Sequence, residues 1–488
     1  MRSPTRYLSS SDRGNLTPVH VVWEITLACD LKCHHCGSRA GQRRPTELST
    51  EECLDVVRQL ARLGTREVTL IGGEAYLRAD WTRIIREIRL QGMDCTGQTG
   101  GLHLTPKKIR EAAHAGLQAL GVSIDGLREL HDELRGVKGS FDAALSALEC
   151  LKKYGITTSV NTQITSLVLP QLRELFKVIV DTGARNWQVQ LTVAMGRAAD
   201  RPDIILQPYQ LLELMPLLAE LYEAGLEHGL LLQPGNNIGY FGPYEGLWRG
   251  SGDDRIYWRG CNAGQNTMGI EADGTIKGCP SLATATFAGG NVRDLTIEDI
   301  WTTAPELNFN QAANEGDLWG FCGSCYYAEV CQGGCTWTSD SLLGRPGNNP
   351  YCHHRVLELA RSGFRERVVQ VESAPGSSFD HGRFELIRER LADVINQPET
   401  LERASDAPVY ATQLVQIKGR PKLKSNGVTR AAGKRALILC RTCNRHVFRG
   451  TRICPHCSGN VRQAASDYRE NLRAAQEACR TLKALTGI

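Results

Sequence analysis

The side chains with most chemical content in this 488-residue sequence are its 18 cysteines. Fourteen of them fall into three groups. Cys29, Cys33 and Cys36 have C-x3-C-x2-C spacing. Cys261, Cys279, Cys322, Cys325, Cys331, Cys335 and Cys352 form a second group, and Cys440, Cys443, Cys454 and Cys457 form two C-x2-C knuckles separated by ten residues. Disulfides of a secreted chain would spread more evenly and follow a signal peptide, whereas Met1–Leu16 is polar with no apolar core. Clustered thiols of this kind read as metal ligands. Three thiolates on one loop can hold three irons of a [4Fe–4S] cube and leave the fourth iron for another ligand; a zinc ion completed by His34 or His35 is the alternative. Four thiolates in two knuckles suit tetrahedral zinc, with a rubredoxin-like iron as the alternative. The scattered Cys53, Cys95, Cys150 and Cys479 read as packing residues.

The elements that must position these groups follow from hydrophobic periodicity. His20–Thr26, Glu67–Gly73, Asp94–Gly101, Leu120–Asp125, Thr157–Thr165 and Trp187–Val193 read as strands, and helical stretches alternate with them. Ser49 and Glu52 have capping-box spacing, and Pro106 follows a Thr105 cap. Six βα units in series imply a parallel sheet with right-handed crossovers, curved into a partial (β/α)6 TIM-like barrel over residues 17–232. In such an α/β fold the chemistry sits at the C-terminal strand ends, where the first cysteine loop falls. An aromatic and Gly-rich connector (233–260), a Cys-rich domain (261–362), a polar connector (363–435, with one helix near Arg383–Ile395), a four-cysteine module (436–460) and a C-terminal helix (461–488) follow.

Composition narrows the partners. Hydrophobic residues are 41%, charged residues 23%, and the net charge is +4, from 57 Lys+Arg against 53 Asp+Glu. That balance suits a folded globular chain and gives no argument for a nucleic-acid partner. No run of about 18 apolar residues occurs; Leu211–Leu232 carries Glu213, Glu220, Glu223, Glu227 and His228. A cytoplasmic protein without a membrane partner is expected.

With its Cys29-x3-Cys33-x2-Cys36 loop after the first strand, the sequence resembles the radical S-adenosylmethionine (SAM) superfamily. The resemblance covers roughly residues 17–230 and implies a SAM-binding [4Fe–4S] cluster on these cysteines. His35, before the third cysteine, would lie against SAM. Gly72-Gly73-Glu74 ends the second strand, where the family receives the methionyl amine, and Ala75 stands where a proline often follows. Ser123, in Ser123-Ile124-Asp125-Gly126, would contact SAM. The second group is similar to the seven-cysteine pattern of SPASM domains, C-x9–15-G-x4-C, C-x2-C-x5-C-x3-C and C. This implies two auxiliary [4Fe–4S] clusters, one on Cys261, Cys279 and Cys335, the other on Cys322, Cys325, Cys331 and Cys352. The first set is a ligand short, with Asp253 and Asp254 as nearby candidates. A pair of zinc sites is the alternative. The third group resembles a zinc ribbon, flanked by Arg441, Arg445, Arg449 and Arg452.

The resemblance implies reductive cleavage of SAM to a 5′-deoxyadenosyl radical that abstracts hydrogen from a ribosomally made peptide or protein, with a flavodoxin or ferredoxin as electron donor. A tetrapyrrole-tailoring enzyme and a non-catalytic metal scaffold are the alternatives. Sulfatase maturases carry an Asp base directly after the second SPASM cysteine, whereas Cys279 precedes Pro280 and Ser281, so no base is located. Only 28 residues precede Cys29. Leader binding is therefore expected to use a separate protein, the 365–435 segment or the four-cysteine module.

Overall fold

The computed structural model describes residues 16–250, 257–310, 313–395 and 435–486. Asp253, Asp254 and the basic stretch 418–434 lie outside the described residues.

The first half is a run of βα units: β1 (His20–Glu24), α1 (Thr50–Arg62), β2 (Glu67–Ile71), α2 (Trp81–Leu90), β3 (Asp94–Thr99), α3 (Pro106–Ala115), β4 (Ala119–Ser123), α4 (Arg128–Arg135), α5 (Ser140–Lys153), β5 (Thr157–Ile164), α6 (Leu172–Thr182), β6 (Asn186–Leu191), α7 (Leu211–Glu227) and β7 (Leu231–Pro234). Strands β1 to β7 lie side by side in sequence order, each parallel to the next. Local chemistry sets several boundaries. Ser49 Oγ accepts from Glu52 N (3.3 Å) while Glu52 Oε2 accepts from Ser49 N (2.7 Å), the capping box expected for α1. Thr105 caps α3, with Pro106 in its first turn. Val21, Trp23, Val68 and Leu70 are buried from solvent, as residues of a helix-covered parallel sheet must be.

The sheet goes further than six units. The seventh strand, β7, is only four residues long and abuts a proline, too short a run for alternation to register. After α8 (Glu245–Gly250), β8 (Thr267–Ile270) pairs parallel with β1, and β9 (Thr275–Lys277) continues antiparallel from it. The short helix α9 (Thr284–Phe287) leads to β10 (Ala288–Asn291), which closes a ten-stranded sheet. The Cys-rich region is thus built onto the barrel's first edge.

Short helices then carry the later cysteines: α10 (Ile297–Thr303), α11 (Gly320–Gly323), α12 (Ala328–Cys331), α13 (Thr336–Leu343) and α14 (His353–Arg361). The helix expected near Arg383–Ile395 is mostly strand. β11 (Phe364–Glu372) and β12 (Arg383–Arg390) form an antiparallel hairpin, and only α15 (Leu391–Ile395) is helical. Cross-strand ion pairs specify it: Glu389 holds both Arg365 and Arg367 at 2.7 Å, and Glu366 holds Arg388 at 2.9 Å. The last module is a hairpin of β13 (Leu437–Cys440) and β14 (Arg445–Phe448), followed by α16 (Val461–Thr486). Among the described residues no helix is long and apolar enough to cross a membrane.

Candidate metal and cofactor sites

The first cysteine loop leaves β1 and is pinned by backbone. Gly73 N donates to Thr26 O (2.8 Å) and Glu74 N to Ala28 O (2.7 Å), so the strand end Gly72-Gly73-Glu74 lies directly against the residues entering the loop. A Cβ on Gly72 would sit 2.4 Å from Thr26 O, and one on Gly73 2.2 Å from Ala28 O. The glycine pair is therefore a requirement of this approach.

Donors converge on the sulfurs. Leu31 N lies 3.4 Å from Cys29 Sγ, Ala40 N 3.3 Å from Cys36 Sγ, and Arg135 Nη1 3.5 Å from Cys33 Sγ. Burial pushes the Cys33 thiol up, and the Arg135 guanidinium opposes it. Donors aimed at three unpaired sulfurs fit thiolates that hold a cluster.

Two buried carboxylates flank the loop. Glu74 accepts from Thr99 Oγ1 (2.5 Å) and Gly100 N (2.6 Å), and burial raises it to about 7 against these hydrogen bonds. Asp125, wholly buried, lies 3.1 Å from His35 Nε2 and 2.5 Å from Arg135 Nη2. Burial opposes its ionisation, but Arg135 and His35 outweigh it and hold the carboxyl well below its usual range. His35 is thus oriented by Asp125, while its buried Nδ1 has no hydrogen-bond partner among the described residues. Ser123 ends β4, in register with Asn161 of β5.

The opposite wall of the loop comes from distant chain. Arg197 donates to Cys33 O (3.0 Å) through Nη1 and to Cys36 O (3.0 Å) through its backbone. Phe379 N donates to Gly37 O (3.0 Å), Asp380 O accepts from Gly196 N (2.8 Å), and Arg39 Nε bonds Asp380 Oδ1 at 2.8 Å. No local pattern signals these links, because they join loops more than 150 residues apart.

The seven cysteines of the second group sort into two sets. Burial raises Cys261, and the neighbouring charges of Cys335 and Cys279 raise it further. Burial likewise raises Cys331, with Cys352, Cys322 and Cys325 as its neighbours. Tyr240 joins the sets. Its hydroxyl accepts from Cys335 N (2.9 Å) and its carbonyl lies 3.7 Å from Cys352 Sγ. Its ring packs on Trp258 at 5.0 Å, and Trp258 Nε1 donates to Cys331 O at 3.2 Å. Tyr240 and Trp258, from the 233–260 stretch, thus wedge between the two cysteine sets. Cys53 and Cys95 are buried packing residues, away from these groups.

In the third group all four sulfurs lie within 4.8 Å of one another. Cys440 and Cys457 are 3.8 Å apart, and Cys443 and Cys454 3.7 Å. Thiolates about 2.3 Å from a tetrahedral ion stand roughly 3.8 Å apart, so the donor set fits one such ion. The module is fastened to the second set. Tyr327, between Cys325 and Cys331, donates its hydroxyl to His446 O (2.5 Å) with His456 Nε2 at 2.8 Å, and Tyr326 accepts from Phe448 N (3.0 Å). Arg445 bridges to Glu358 (3.0 Å) and to His354.

A fold of this kind, with three cysteines at the first strand end, defines a radical SAM enzyme. Comparison with known proteins agrees. The Radical SAM superfamily model matches residues 23–181, and the SPASM model, an iron–sulfur cluster-binding domain, matches 261–326. Mycofactocin maturase MftC of Mycolicibacterium smegmatis is 30% identical, over 71% of this chain and 86% of its own. The AdoMet-dependent heme synthase of Oleidesulfovibrio alaskensis is 28% identical, over 69% and 87%. Among solved structures, Streptococcus suis SuiB bound to S-adenosylmethionine matches with TM-score 0.56 and 19% identity, over 69% of this chain and 76% of that one. Native anSMEcpe with bound AdoMet matches with TM-score 0.55 and 17% identity, over 71% and 100%. The chain belongs to the radical SAM superfamily and carries a SPASM domain. It is therefore an enzyme that uses S-adenosylmethionine, a SAM-binding [4Fe–4S] cluster and auxiliary iron–sulfur clusters.

Proposed function

We propose that this enzyme matures a ribosomally made peptide or protein by hydrogen abstraction. The observation that carries the radical chemistry is the strand end Gly72–Glu74 laid by two backbone hydrogen bonds against the entrance of the cysteine loop. In the proposed assignment Cys29, Cys33 and Cys36 hold the cluster, and Gly72, Gly73 and Glu74 receive the SAM amine. The Glu74 carboxylate, fixed by Thr99 and Gly100, supplies the negative end of that contact. His35, oriented by Asp125, and Ser123 complete the SAM contacts. The bound cluster and SAM together supply a 5′-deoxyadenosyl radical.

Cys261, Cys279 and Cys335 form the first auxiliary site and Cys322, Cys325, Cys331 and Cys352 the second. The grouping of their charges supports this division. The Cys440–Cys457 set is assigned to zinc, and its sulfur spacing supports a tetrahedral ion. Electrons come from a flavodoxin or ferredoxin.

A peptide substrate is favoured by the likeness to mycofactocin maturase over most of both chains. Co-expression with small peptides encoded beside the gene, followed by mass spectrometry, tests it. A loss of about two hydrogens' mass supports the reading; unchanged peptides throughout overturn it. The heme synthase relatives carry a second reading, a tetrapyrrole substrate. Ultraviolet–visible titration with a porphyrin separates the two, since only the second predicts saturable binding.

A further inference from the structure

Helix α13 begins directly after Cys335, and its sequence Thr338-Ser339-Asp340-Ser341 is polar yet buried at every position. Buried polar groups are normally satisfied, and Ser339 bonds the carbonyls of Cys335 and Thr336. Neighbours on the helix are not. Ser341 Oγ is buried without a hydrogen-bond partner among the described residues. Asp340 is only 6% exposed; its backbone carbonyl accepts from Gly344 N (2.8 Å), but its carboxylate has no hydrogen bond or ion pair among the described residues. A carboxylate so enclosed is rare in a folded protein unless it is paired or put to use.

Its position says which use. Trp337 lies one helical turn before Asp340, on the same side of α13. Trp337 Nε1 reaches Met195 Sδ at 3.2 Å. Met195 lies beyond the end of β6, next to Gly196, whose φ of +57° lets it press against the carbonyls of Cys36 and Gly37. Among the described residues, the titratable neighbour that acts on Asp340 is His381. His381 follows the Phe379–Asp380 strap that bonds Gly37 and Gly196. Asp340 therefore lies on the helix that runs from Cys335, one turn beyond the Trp337–Met195 contact, with His381 at the end of the strap acting on it. Burial raises its carboxyl, and His381 opposes that rise.

We infer that Asp340 is the base that takes the second hydrogen, as a proton, in a two-hydrogen oxidation of the substrate. This rests on the peptide-maturase reading above. The first hydrogen leaves substrate carbon as an atom and bonds to C5′ of the adenosyl radical, giving 5′-deoxyadenosine. The second leaves the adjacent substrate atom as a proton and bonds to a carboxylate oxygen of Asp340. The remaining electron passes to a one-electron acceptor of the iron–sulfur class, and a double bond or crosslink forms in the substrate. A positioned base of this kind contributes about 10²–10⁴-fold.

The test uses the full-length enzyme, reconstituted anaerobically, with the neighbouring-gene peptide deuterated at its side chains. Asp340→Asn and Asp340→Glu are compared with wild type, with iron content measured for each. The expected result for Asp340→Asn is a split. Modified peptide falls at least 100-fold, deuterium still appears in 5′-deoxyadenosine within about three-fold of wild type, and iron is unchanged. Asp340→Glu recovers part of the product. Wild-type product yield from Asp340→Asn overturns the inference, as does parallel loss of deuterium transfer, product and iron, which marks a structural role. If wild type itself leaves the peptide unmodified, the maturase reading fails, and the inference with it.

Discussion

Arg135 reaches Cys33 Sγ at 3.5 Å with one guanidinium nitrogen and Asp125 Oδ2 at 2.5 Å with another. One buried cation thus serves both a sulfur of the first cysteine loop and the carboxylate that orients His35. Hydrogen bonds and positive charge at a cluster sulfur favour the reduced, more negative state.

Arg135→Leu removes that charge and leaves Asp125 buried without its guanidinium partner. Its expected stability loss is about 3–5 kcal/mol, the cost of breaking a buried pair. The midpoint potential of the SAM-binding cluster should also move to more negative values. Arg135→Lys should recover much of the stability and part of the potential. Chemical denaturation and an electron paramagnetic resonance redox titration measure the two effects. An unchanged potential in the Leu variant would show that the Cys33 contact has no influence on the cluster.

Gly73→Ala places a methyl group 2.2 Å from the Ala28 carbonyl, a backbone atom that cannot swing aside. Strain of this kind costs typically about 1–3 kcal/mol. It should part the β2 end from the cysteine loop and weaken SAM binding more than ten-fold. Equilibrium dialysis with labelled SAM reads this directly; wild-type affinity would dissociate the close approach from SAM binding.

What the sequence revealed were the parts whose ligands are local. The C-x3-C-x2-C loop, the Gly72–Glu74 strand end and the Cys440–Cys457 knuckles are each short segments whose spacing carries the signal. Helix α4 was missed because its inward residues are His131, Leu134 and Arg135, two of them polar, so apolar periodicity does not find it. Arg135 was lost with it. Arg383–Ile395 mixes charged with apolar residues in a pattern that locally suits a helix, and its strand pairing with 364–372 is set by cross-strand ions. The Asp125–His35 contact, the Tyr240 wedge and the Phe379–Asp380 strap join distant segments, and no local pattern encodes them.

The four-cysteine module should bind its metal independently of the iron. Cys457→Ser should lose about one zinc ion per chain, while iron and the Radical SAM half of the fold remain. Because Tyr327 and Tyr326 hold the module against the second cysteine set, protease should cut faster within 435–460 in this variant. Metal analysis and limited proteolysis check both outcomes. Loss of iron instead of zinc would assign the site to an iron centre.

Glu24 gives a pH signature. Burial raises its carboxyl from 4.5 to about 8, although Arg44 opposes the shift. The folded state therefore keeps a proton that the unfolded state releases. This contribution is complete below pH 4.5 and is lost as pH rises towards 8, with a slope of up to about 1.4 kcal/mol per pH unit. Glu24→Gln cannot lose a proton, so its stability relative to wild type should rise between pH 5 and pH 8. Urea unfolding across that range measures the difference, and a flat difference would contradict the assignment.

The central claim is that Cys29, Cys33 and Cys36 hold the cluster that works on SAM, separately from the auxiliary sites. Anaerobically reconstituted protein, given dithionite and SAM, is analysed for 5′-deoxyadenosine alongside a Cys33→Ala variant. The account predicts 5′-deoxyadenosine from wild type and none from the variant, with the auxiliary iron still in place. No 5′-deoxyadenosine from a fully iron-loaded wild type, or an undiminished yield from Cys33→Ala, would contradict it.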